Sequence, residues 1–253
     1  MTEIILSGCS GTMGKVVSSC IKENSNCKIV AGIDVKADAD AGYPICASAG
    51  DLKTKADVLI DFSNPSLLSS LLDFGKKTST PLVLCTTGYT NEQIKSIKNI
   101  SHELPIFYSG NMSIGINLII ELAKKAAAVL GNDFDIEIVE QHHNKKIDAP
   151  SGTALMIADG ISSVLGKDMN YVYDRHSQRK KRDKNEIGIH SIRGGTIVGE
   201  HEVIFAGDQE VIKISHSAQS KAIFARGAVN AAIYLSHKSS GLYDMADLLN
   251  EVK

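Results

Sequence analysis

Residues 3–21 read EIILSGCSGTMGKVVSSCI, and this stretch decides the fold of the first half of the chain. Residues 3–7 form an apolar run of the length expected for a short buried strand, and an apolar helical pattern closes the stretch. Between them, glycines recur at Gly8, Gly11 and Gly14. A strand, a glycine-rich turn and a helix in this order are typical of a dinucleotide-binding unit, in which the glycines let the backbone approach a pyrophosphate.

The next strand supports the same interpretation. Residues 28–33 (KIVAGI) predict a strand that ends at Asp34, where a carboxylate can accept from both ribose hydroxyls of a dinucleotide. A carboxylate repels a 2′-phosphate, whereas the ammonium of Lys36 can screen one, so we expect NADH or NADPH to bind, NADH better. The alternative is an ordinary turn followed by a strand-end aspartate. The predicted dinucleotide contacts of this region are Gly8, Cys9, Ser10, Gly11, Thr12, Met13, Asp34 and Lys36.

Further apolar runs over residues 57–61, 81–85 and 106–108 alternate with helical patterns. This alternation predicts an α/β architecture, a Rossmann-like doubly wound parallel sheet. Ligands of such sheets bind at the carboxyl ends of the strands. We therefore expect Thr86 and Thr87, which follow residues 81–85, to border the cofactor.

Residues 135–158, DIEIVEQHHNKKIDAPSGTALMIA, organise the second half of the chain. Ile136 and Ile138 alternate with acidic residues, which is the pattern of a half-buried strand. This strand places two imidazoles, those of His142 and His143, at its end. Adjacent side chains of a strand point to opposite faces, so one of the two histidines can be purely structural.

A helix is predicted to follow this strand after a short loop. Pro150 prevents further strand pairing, and Ser151 is a good N-cap for a helix over residues 152–165. Imidazole groups, the ammonium groups of Lys145 and Lys146, and the N–H groups of a helix start thus converge, which suits an anionic ligand that needs a proton. The lysines can instead be a solvated pair. No metal site is predicted, because the HExxH and CxxC spacings of zinc ligands are absent.

Taken whole, residues 140–154 (EQHHNKKIDAPSGTA) resemble the signature of the 4-hydroxy-tetrahydrodipicolinate reductase (dihydrodipicolinate reductase) family. The family pattern is E-x-H-H-x-x-K-x-D-A-P-S-G-T, and every fixed position is filled. Residues 193–201 also match its R-x-G-x-x-x-G-E-H run. The resemblance covers essentially the whole chain, with the glycine turn, a TTG turn and the histidine signature in the family's order.

The resemblance implies an NAD(P)H-dependent oxidoreductase that reduces 4-hydroxy-tetrahydrodipicolinate to tetrahydrodipicolinate, with loss of water, in lysine (diaminopimelate) biosynthesis. By the matching positions, His142 is the general acid/base, Lys146 the proton donor and His143 a substrate contact, while Gly152 and Thr153 hold a carboxylate. The resemblance further implies cofactor contacts from two strand ends, at Cys85, Thr86, Thr87, Ser109, Gly110, Asn111 and Met112.

The chain departs from the family pattern at four positions. Cys85 replaces the first glycine of the family's GTTG turn, which can alter the backbone's approach to a nicotinamide. Thr12 and Val35 stand where the family often has arginine, which argues against a strong preference for NADPH. Lys221 stands where an arginine usually precedes the last long helix.

Two domains are predicted, one of residues 1–112 and 222–253 that binds the dinucleotide, and one of residues 113–221 that binds substrate and forms the oligomer. The second is expected to be α+β, with an open mixed sheet in which antiparallel pairs predominate. We expect its helices to cover one sheet face, and the resemblance implies a homotetramer through the other. The predicted elements of the second half are strands over residues 187–193, 196–206 and 209–215, helices over 114–130, 152–165, 222–236 and 242–250, and a basic surface loop over 168–186.

Composition narrows the classes of function. A net charge of −2 for 253 residues favours a small-molecule partner over nucleic acid or an anionic membrane, and the basic loop lacks stacking aromatics. Five scattered cysteines and the lack of a leader or of a long apolar window predict a soluble cytoplasmic protein. The alternatives are another two-domain NAD(P)-dependent dehydrogenase for an anionic amino-acid-like substrate, and a non-enzymatic dinucleotide-binding redox sensor.

Overall fold

The computed structural model describes residues 1–36, 41–166 and 168–251. The chain divides into two compact units, one of Met1–Ile114 with Lys221–Lys253 and one of Gly115–Ser220. In chain order the elements are β1 (Thr2–Ser7), α1 (Thr12–Lys22), β2 (Cys27–Ile33), β3 (Ile45–Cys46), β4 (Val58–Asp61), α2 (Leu68–Thr78), β5 (Leu82–Leu84), α3 (Asn91–Ser101), β6 (Pro105–Tyr108), α4 (Ile114–Leu130), β7 (Asp135–His142), α5 (Gly152–Leu165), β8 (Asn170–Val172), β9 (Glu186–Arg193), β10 (Gly199–Ala206), β11 (Val211–Ala218), α6 (Ala222–Leu235), β12 (Gly241–Tyr243) and α7 (Met245–Glu251).

The first unit contains a seven-stranded sheet in the order β12-β6-β5-β4-β1-β2-β3. Every neighbouring pair is parallel. Side chains of β1 alternate between two cores: Ile4 and Leu6 pack with α1 and α6, whereas Ile5 packs with α2 and α3. Helices thus cover both faces, and the predicted doubly wound parallel sheet is confirmed. All carboxyl strand ends consequently meet at one edge of the sheet.

The end of the chain differs from its prediction. A single helix was expected over residues 242–250, but Gly241–Tyr243 forms β12, which pairs in parallel with β6 and adds a strand to the sheet. Helix α7 begins only at Met245, after Asp244, whose Oδ1 accepts from the N–H of Ala246 at 2.8 Å. The sequence prediction failed because three residues carry too little periodicity to reveal a strand. The two-residue β3 was missed for the same reason.

The second unit contains a five-stranded sheet in the order β11-β10-β7-β9-β8. Helices α4 and α5 cover one face, and their apolar residues pack with Ile136 and Ile138 of β7 and with Val203 and Phe205 of β10. The prediction of a mixed sheet is confirmed. The expected predominance of antiparallel pairs is wrong, because β7 pairs in parallel with β9 and β9 with β8. Only β11–β10 and β10–β7 are antiparallel among the pairs of this sheet.

Strand β8 lies within residues 168–186, the segment predicted to be a surface loop. Basic residues of the same segment pair with acidic residues of this unit: Arg175 Nη1 lies 2.8 Å from Glu186 Oε2, and Arg182 Nε lies 3.0 Å from Glu137 Oε1. Burial raises the pKa of Glu137, but hydrogen bonds from His190 and Arg182 outweigh it and the net pKa is lowered. Four basic residues of this run, namely Arg175, Lys180, Arg182 and Lys184, therefore form intramolecular ion pairs. In the part of the chain that the structure describes, no helix is long and apolar enough to cross a membrane.

Candidate active site

The glycine turn lies at the carboxyl end of β1. Gly8 has φ +74°, and a Cβ there would lie 2.5 Å from the carbonyl oxygen of Phe62, so only glycine fits. A Cβ at Gly14 would overlap the carbonyl oxygen of Gly8. Helix α1 begins directly after Gly11, and among the described residues no side chain caps this helix start. The first N–H groups of α1 thus have no intrahelical partner, and the cradle fits a pyrophosphate.

Asp34, at the end of β2, is bound to this turn. Its Oδ2 accepts from the N–H of Ser10 at 3.0 Å, and its Oδ1 accepts from the N–H of Lys36 at 3.0 Å. The hydroxyl of Ser10 in turn donates to the carbonyl oxygen of Lys36 at 2.8 Å. The carboxylate is therefore held in one orientation beside the glycine turn, where the sequence placed a ribose contact.

A cavity of about 420 Å³ lies within the first unit, close to the carboxyl ends of β4, β5 and β6. Its predicted lining residues are Met13, Cys85, Thr86, Thr87, Ser109, Gly110, Asn111 and Met112. Gly8, Cys9, Ser10, Gly11, Thr12, Asp34 and Lys36 lie outside the lining, in the group around the glycine turn. The lining residues that the sequence reasoning missed are Phe62, Ser63, Pro65 and Phe224. Thr86 was predicted because ligands bind at the carboxyl ends of strands, and it follows β5. The same argument applied to β4 would have found Phe62 and Ser63, which follow that strand.

A buried carboxylate lies at the same edge. Asp61 ends β4 with no exposed surface, accepts from the hydroxyl of Ser63 at 2.5 Å and accepts from the hydroxyl of Thr86 at 2.6 Å. Burial raises the pKa of the Cys85 thiol well above its usual value, and the negative charge of Asp61 adds to the effect. The same two causes raise the pKa of the Tyr89 phenol. Cys85 is therefore a protonated, apolar part of the cavity wall.

In the second unit, His142 ends β7 in a fixed orientation. Its Nδ1 lies 2.6 Å from Oε2 of Glu140, a residue with no exposed surface. Burial raises the pKa of Glu140, but hydrogen bonds from Arg193, Ser191 and His142 outweigh it and lower the pKa to about 2. Because Glu140 stays ionised, it accepts the proton of Nδ1, and Nε2 of His142 is left for proton transfer.

Glu140 also joins the strand end to the helix start. Its two oxygens accept from Nη1 and Nη2 of Arg193 at 2.8 Å each, and Oε1 accepts from the N–H of Ser151 at 3.1 Å. Ser151 caps α5 through Ala154, as predicted, with an Oγ to N–H distance of 3.2 Å. A Cβ at Gly199 would lie 3.1 Å from Nε2 of His142, so this glycine leaves room for the imidazole.

A second imidazole packs beside the first. His201 is buried, its ring centroid is 5.3 Å from that of His142, and its Nε2 lies 3.1 Å from Oγ of Ser151. Burial lowers the pKa of His201 to about 4, with a further lowering by His142. Oγ of Ser151 shares a hydrogen bond with Nε2 of His201 and also accepts from the N–H of Ala154, so the neutral imidazole packs against the helix cap.

The other predicted substrate and proton-transfer residues lie next to this pair. Nζ of Lys146 lies 2.8 Å from Oδ2 of Asp148, and the hydrogen bond lowers the pKa of Asp148. Nδ1 of His143 is buried and has no hydrogen-bond partner in the described part of the chain. Gly152 and Thr153 are the first two residues of α5. The structure thus brings all five predicted residues of this unit to one strand end, loop and helix start.

Sequence reasoning gave no role to three residues that organise this group, namely Glu140, Arg193 and His201. Glu140 and His142 are two residues apart on a strand, which places both side chains on one face, so the period itself was a usable signal. Arg193 and His201 reach the group through pairing of β9 and β10 with β7, which no local pattern reveals.

The first unit has a parallel sheet with a glycine turn and a cavity, and the chain also carries an oriented imidazole and a lysine ammonium group. These features define the class of nicotinamide-dinucleotide-dependent oxidoreductases. Two family descriptions match the sequence: "Dihydrodipicolinate reductase, N-terminus" over residues 2–112 and "Dihydrodipicolinate reductase, C-terminus" over residues 115–249. The chain belongs to the dihydrodipicolinate reductase family, as the histidine signature predicted.

Individual relatives agree with the family. The chain is 50% identical over 249 residues to the 4-hydroxy-tetrahydrodipicolinate reductase of Clostridium novyi (strain NT), covering 98% of each chain. It is 51% identical over 251 residues to the enzyme of that name from Caldanaerobacter subterraneus subsp. tengcongensis, covering 99% of each. Among solved structures, the dipicolinate-bound dihydrodipicolinate reductase of Paenisporosarcina sp. TG-14 matches with a TM-score of 0.82 and 25% identity, over 96% of this chain and 97% of the other.

Proposed function

We propose that the chain reduces 4-hydroxy-tetrahydrodipicolinate to tetrahydrodipicolinate, with loss of water, in the cytoplasmic synthesis of diaminopimelate and lysine. The observation that carries the proposal is the imidazole of His142, oriented by the buried Glu140, in a chain that is 50% identical to a reductase of that name. The dipicolinate bound to the Paenisporosarcina relative, a ring with two carboxylates, supports a cyclic dicarboxylate as the substrate.

In this proposal residues 1–112 and 222–253 bind the dinucleotide, and residues 113–221 bind the substrate. Gly8 to Met13 hold the pyrophosphate, Asp34 accepts from the ribose hydroxyls, and the cavity behind β4 to β6 receives the nicotinamide. When bound, a reduced nicotinamide supplies a hydride ion. We expect NADH to bind better than NADPH, because the fixed Asp34 carboxylate repels a 2′-phosphate and the neighbouring Val35 is an exposed aliphatic side chain.

The substrate carboxylates are expected at the start of α5. Gly152 and Thr153, the first two residues of α5, are the proposed carboxylate contacts, because the N–H groups of a helix start favour an anion, and His143 is a further proposed substrate contact. Gly152 carries no side chain, and nothing described lies within 4 Å of where its Cβ would be, so a ligand can approach the backbone there.

Two groups of this unit can move protons. Lys146 donates a proton from Nζ to the substrate as negative charge develops on it, while Asp148 at 2.8 Å holds the ammonium in place. His142 exchanges a proton at Nε2, because its Nδ1 is committed to Glu140. The Nδ1 bond to Glu140 keeps the imidazole in one orientation and so keeps Nε2 in a fixed position for this exchange.

The proposal includes a homotetramer built through the face of the second sheet that α4 and α5 do not cover. Val139 and Ile204 lie on that face, together with Ile192, which is 47% exposed, and Val211, which is 57% exposed. Burying such side chains in a subunit contact removes apolar area from water. Sedimentation equilibrium would test it, since a monomer over the micromolar range would contradict the assembly.

A direct assay tests the function. Freshly generated 4-hydroxy-tetrahydrodipicolinate is mixed with the enzyme and with NADH or NADPH in turn, and loss of the reduced nicotinamide absorbance is followed. We expect turnover with both cofactors and a higher kcat/KM with NADH. Turnover only with other amino-acid-like substrates would identify a different dehydrogenase. Tight dinucleotide binding without any turnover would identify a redox sensor instead.

A further inference from the structure

Asp61 is a buried carboxylate that is surrounded by hydrogen-bond donors. Oδ1 accepts from the hydroxyl of Ser63 at 2.5 Å and from its N–H at 3.2 Å. Oδ2 accepts from the hydroxyl of Thr86 at 2.6 Å and, more weakly, from that of Tyr89 at 3.4 Å. Donors converge on both oxygens, which is the arrangement of an ionised carboxylate and a favourable one for a charge without exposed surface.

The carboxylate determines what two of these hydroxyls can offer to a ligand. A hydroxyl has one proton, and an ionised carboxylate can only accept. Ser63 and Thr86 therefore donate their hydroxyl protons to Asp61. Toward any other neighbour these two hydroxyl oxygens can act only as acceptors. Both residues line the cavity, whereas Asp61 lies behind them. Ser63 and Thr86 thus contribute two hydroxyl acceptors to a lining that also contains the apolar side chains of Met13 and Phe224.

This inference rests on the proposed nicotinamide site. We infer that Asp61 is a positioning residue: it orients the hydroxyls of Ser63 and Thr86 so that their oxygens accept from the N–H groups of the nicotinamide carboxamide. The carboxamide NH₂ is a donor only, so it matches the two hydroxyl acceptors of Ser63 and Thr86, whereas the carboxamide carbonyl oxygen does not. A site built to accept from an N–H group discriminates against an analogue without one, because its polar atoms are then left unpaired. The cavity thus selects the dinucleotide by its carboxamide, in addition to the proposed binding of the pyrophosphate at the glycine turn.

A purely structural role would have different consequences. The Ser63 N–H to Asp61 bond also shapes the turn after β4, so replacing Asp61 can loosen that turn. A loosened turn would weaken all dinucleotides alike. Only the proposed role predicts that the loss depends on whether the ring carries an amide.

The test compares NADH with its reduced 3-acetylpyridine analogue, in which a methyl group replaces the amide NH₂. Dissociation constants are measured by calorimetry on the full chain, without substrate. We expect wild type to bind NADH about 5- to 20-fold more tightly than the analogue. In Asp61→Asn the new amide NH₂ donates to one of the two hydroxyls. That hydroxyl then accepts from the amide, and its own proton points away from residue 61. The ratio should then fall to about 1–2, chiefly through weaker binding of NADH.

Matched variants separate the causes. Asp73→Asn makes the same charge change at an exposed position of α2 and should leave the wild-type ratio unchanged. Ser63→Ala and Thr86→Val each remove one acceptor while keeping Asp61, and each should lower the ratio partway even if Asp61→Asn fails to fold. An equal ratio in wild type and Asp61→Asn, or a wild-type ratio near 1, overturns the inference. Absence of any dinucleotide binding by wild type would instead overturn the proposed function.

Discussion

Nδ1 of His142 lies 2.6 Å from Oε2 of Glu140, and the same carboxylate accepts from both terminal nitrogens of Arg193. Glu140 has no exposed surface, so its charge depends on these partners. The pair therefore fixes the orientation of the imidazole and leaves Nε2 as the nitrogen that is not bound to Glu140.

Replacing Glu140 by glutamine should impair both turnover and stability. A neutral amide is a weaker acceptor for Nδ1 of His142 and removes the counter-charge of Arg193, which keeps only its backbone acceptors. We therefore expect kcat to fall roughly 10²-fold and the free energy of unfolding to fall by about 3 kcal/mol. Steady-state kinetics and urea unfolding measure the two effects. Glu121→Gln, which breaks the surface pair with Lys124, is the control and should change neither. Wild-type kcat in Glu140→Gln would contradict the orienting role.

Stability should fall in mild acid because of His201. Burial lowers its folded pKa to about 4 from the usual 6.5, so the unfolded chain binds more protons between these values. The stability contributed by neutral His201 is therefore complete above pH 6.5 and is lost as pH falls toward 4, by about 1.4 kcal/mol per unit. Urea unfolding at several pH values measures it. His201→Gln should flatten the slope in this window, and an unchanged slope would reject the assignment.

Protonation of Glu140 should cause a separate loss of stability at lower pH. The folded pKa of Glu140 is lowered to about 2 from 4.5, so its contribution is present above pH 4.5 and disappears as pH falls toward 2. The two pH ranges follow one another, so the free energy of unfolding should fall in two successive stages as the pH is lowered. Glu140→Gln should remove only the second stage.

Lys146→Ala tests the proton donor. We expect a loss of about 10²- to 10⁴-fold in kcat with nearly unchanged affinity for NADH, because the ammonium acts on the substrate and not on the cofactor. Lys145→Ala is the matched control, since Lys145 is the exposed neighbour in the same loop and should retain wild-type turnover. Near wild-type turnover of Lys146→Ala would rule out its role.

Asp34→Ala tests cofactor preference. The substitution removes the acceptor for ribose hydroxyls and the repulsion of a 2′-phosphate, so NADH should weaken about tenfold more than NADPH. Because Oδ2 of Asp34 also holds Ser10, a common loss for both cofactors is expected in addition. Asp34→Asn keeps an acceptor and should show the change in preference with less of that common loss. Equal losses of NADH and NADPH in both variants would contradict the assignment.

Gly199→Ala should displace the imidazole. Its Cβ would lie 3.1 Å from Nε2 of His142, so the ring must move by a few tenths of an ångström. Misplacing a catalytic group by such a distance should lower kcat about tenfold. Gly194→Ala provides the control, because nothing described lies within 4 Å of the Cβ there and φ is not positive. Equal kinetics of the two variants would show that the space at Gly199 is unimportant.

Much of the architecture was predictable because long elements carry strong local signals. The strand over residues 3–7, the helices over 114–130 and 152–165 and the cap at Ser151 follow from periodicity and capping chemistry alone. Short strands did not follow, since β8 and β12 have three residues each and are stabilised by pairing with neighbours distant in sequence. The parallel pairing of β7 with β9 likewise depends on which strand lies alongside, which local residue order does not encode.

The sequence by itself determined the family and the class of cofactor, and it supplied the residues proposed to carry the chemistry, including His142 and Lys146. Those follow from residue types in a fixed order. Only the tertiary structure decided which nitrogen of His142 is bound to Glu140, why Glu140 stays ionised and that the hydroxyls of Ser63 and Thr86 are bound to Asp61. Tautomer, ionisation and hydrogen-bond direction depend on burial and on partners from other strands, and folding alone brings those partners within hydrogen-bond distance.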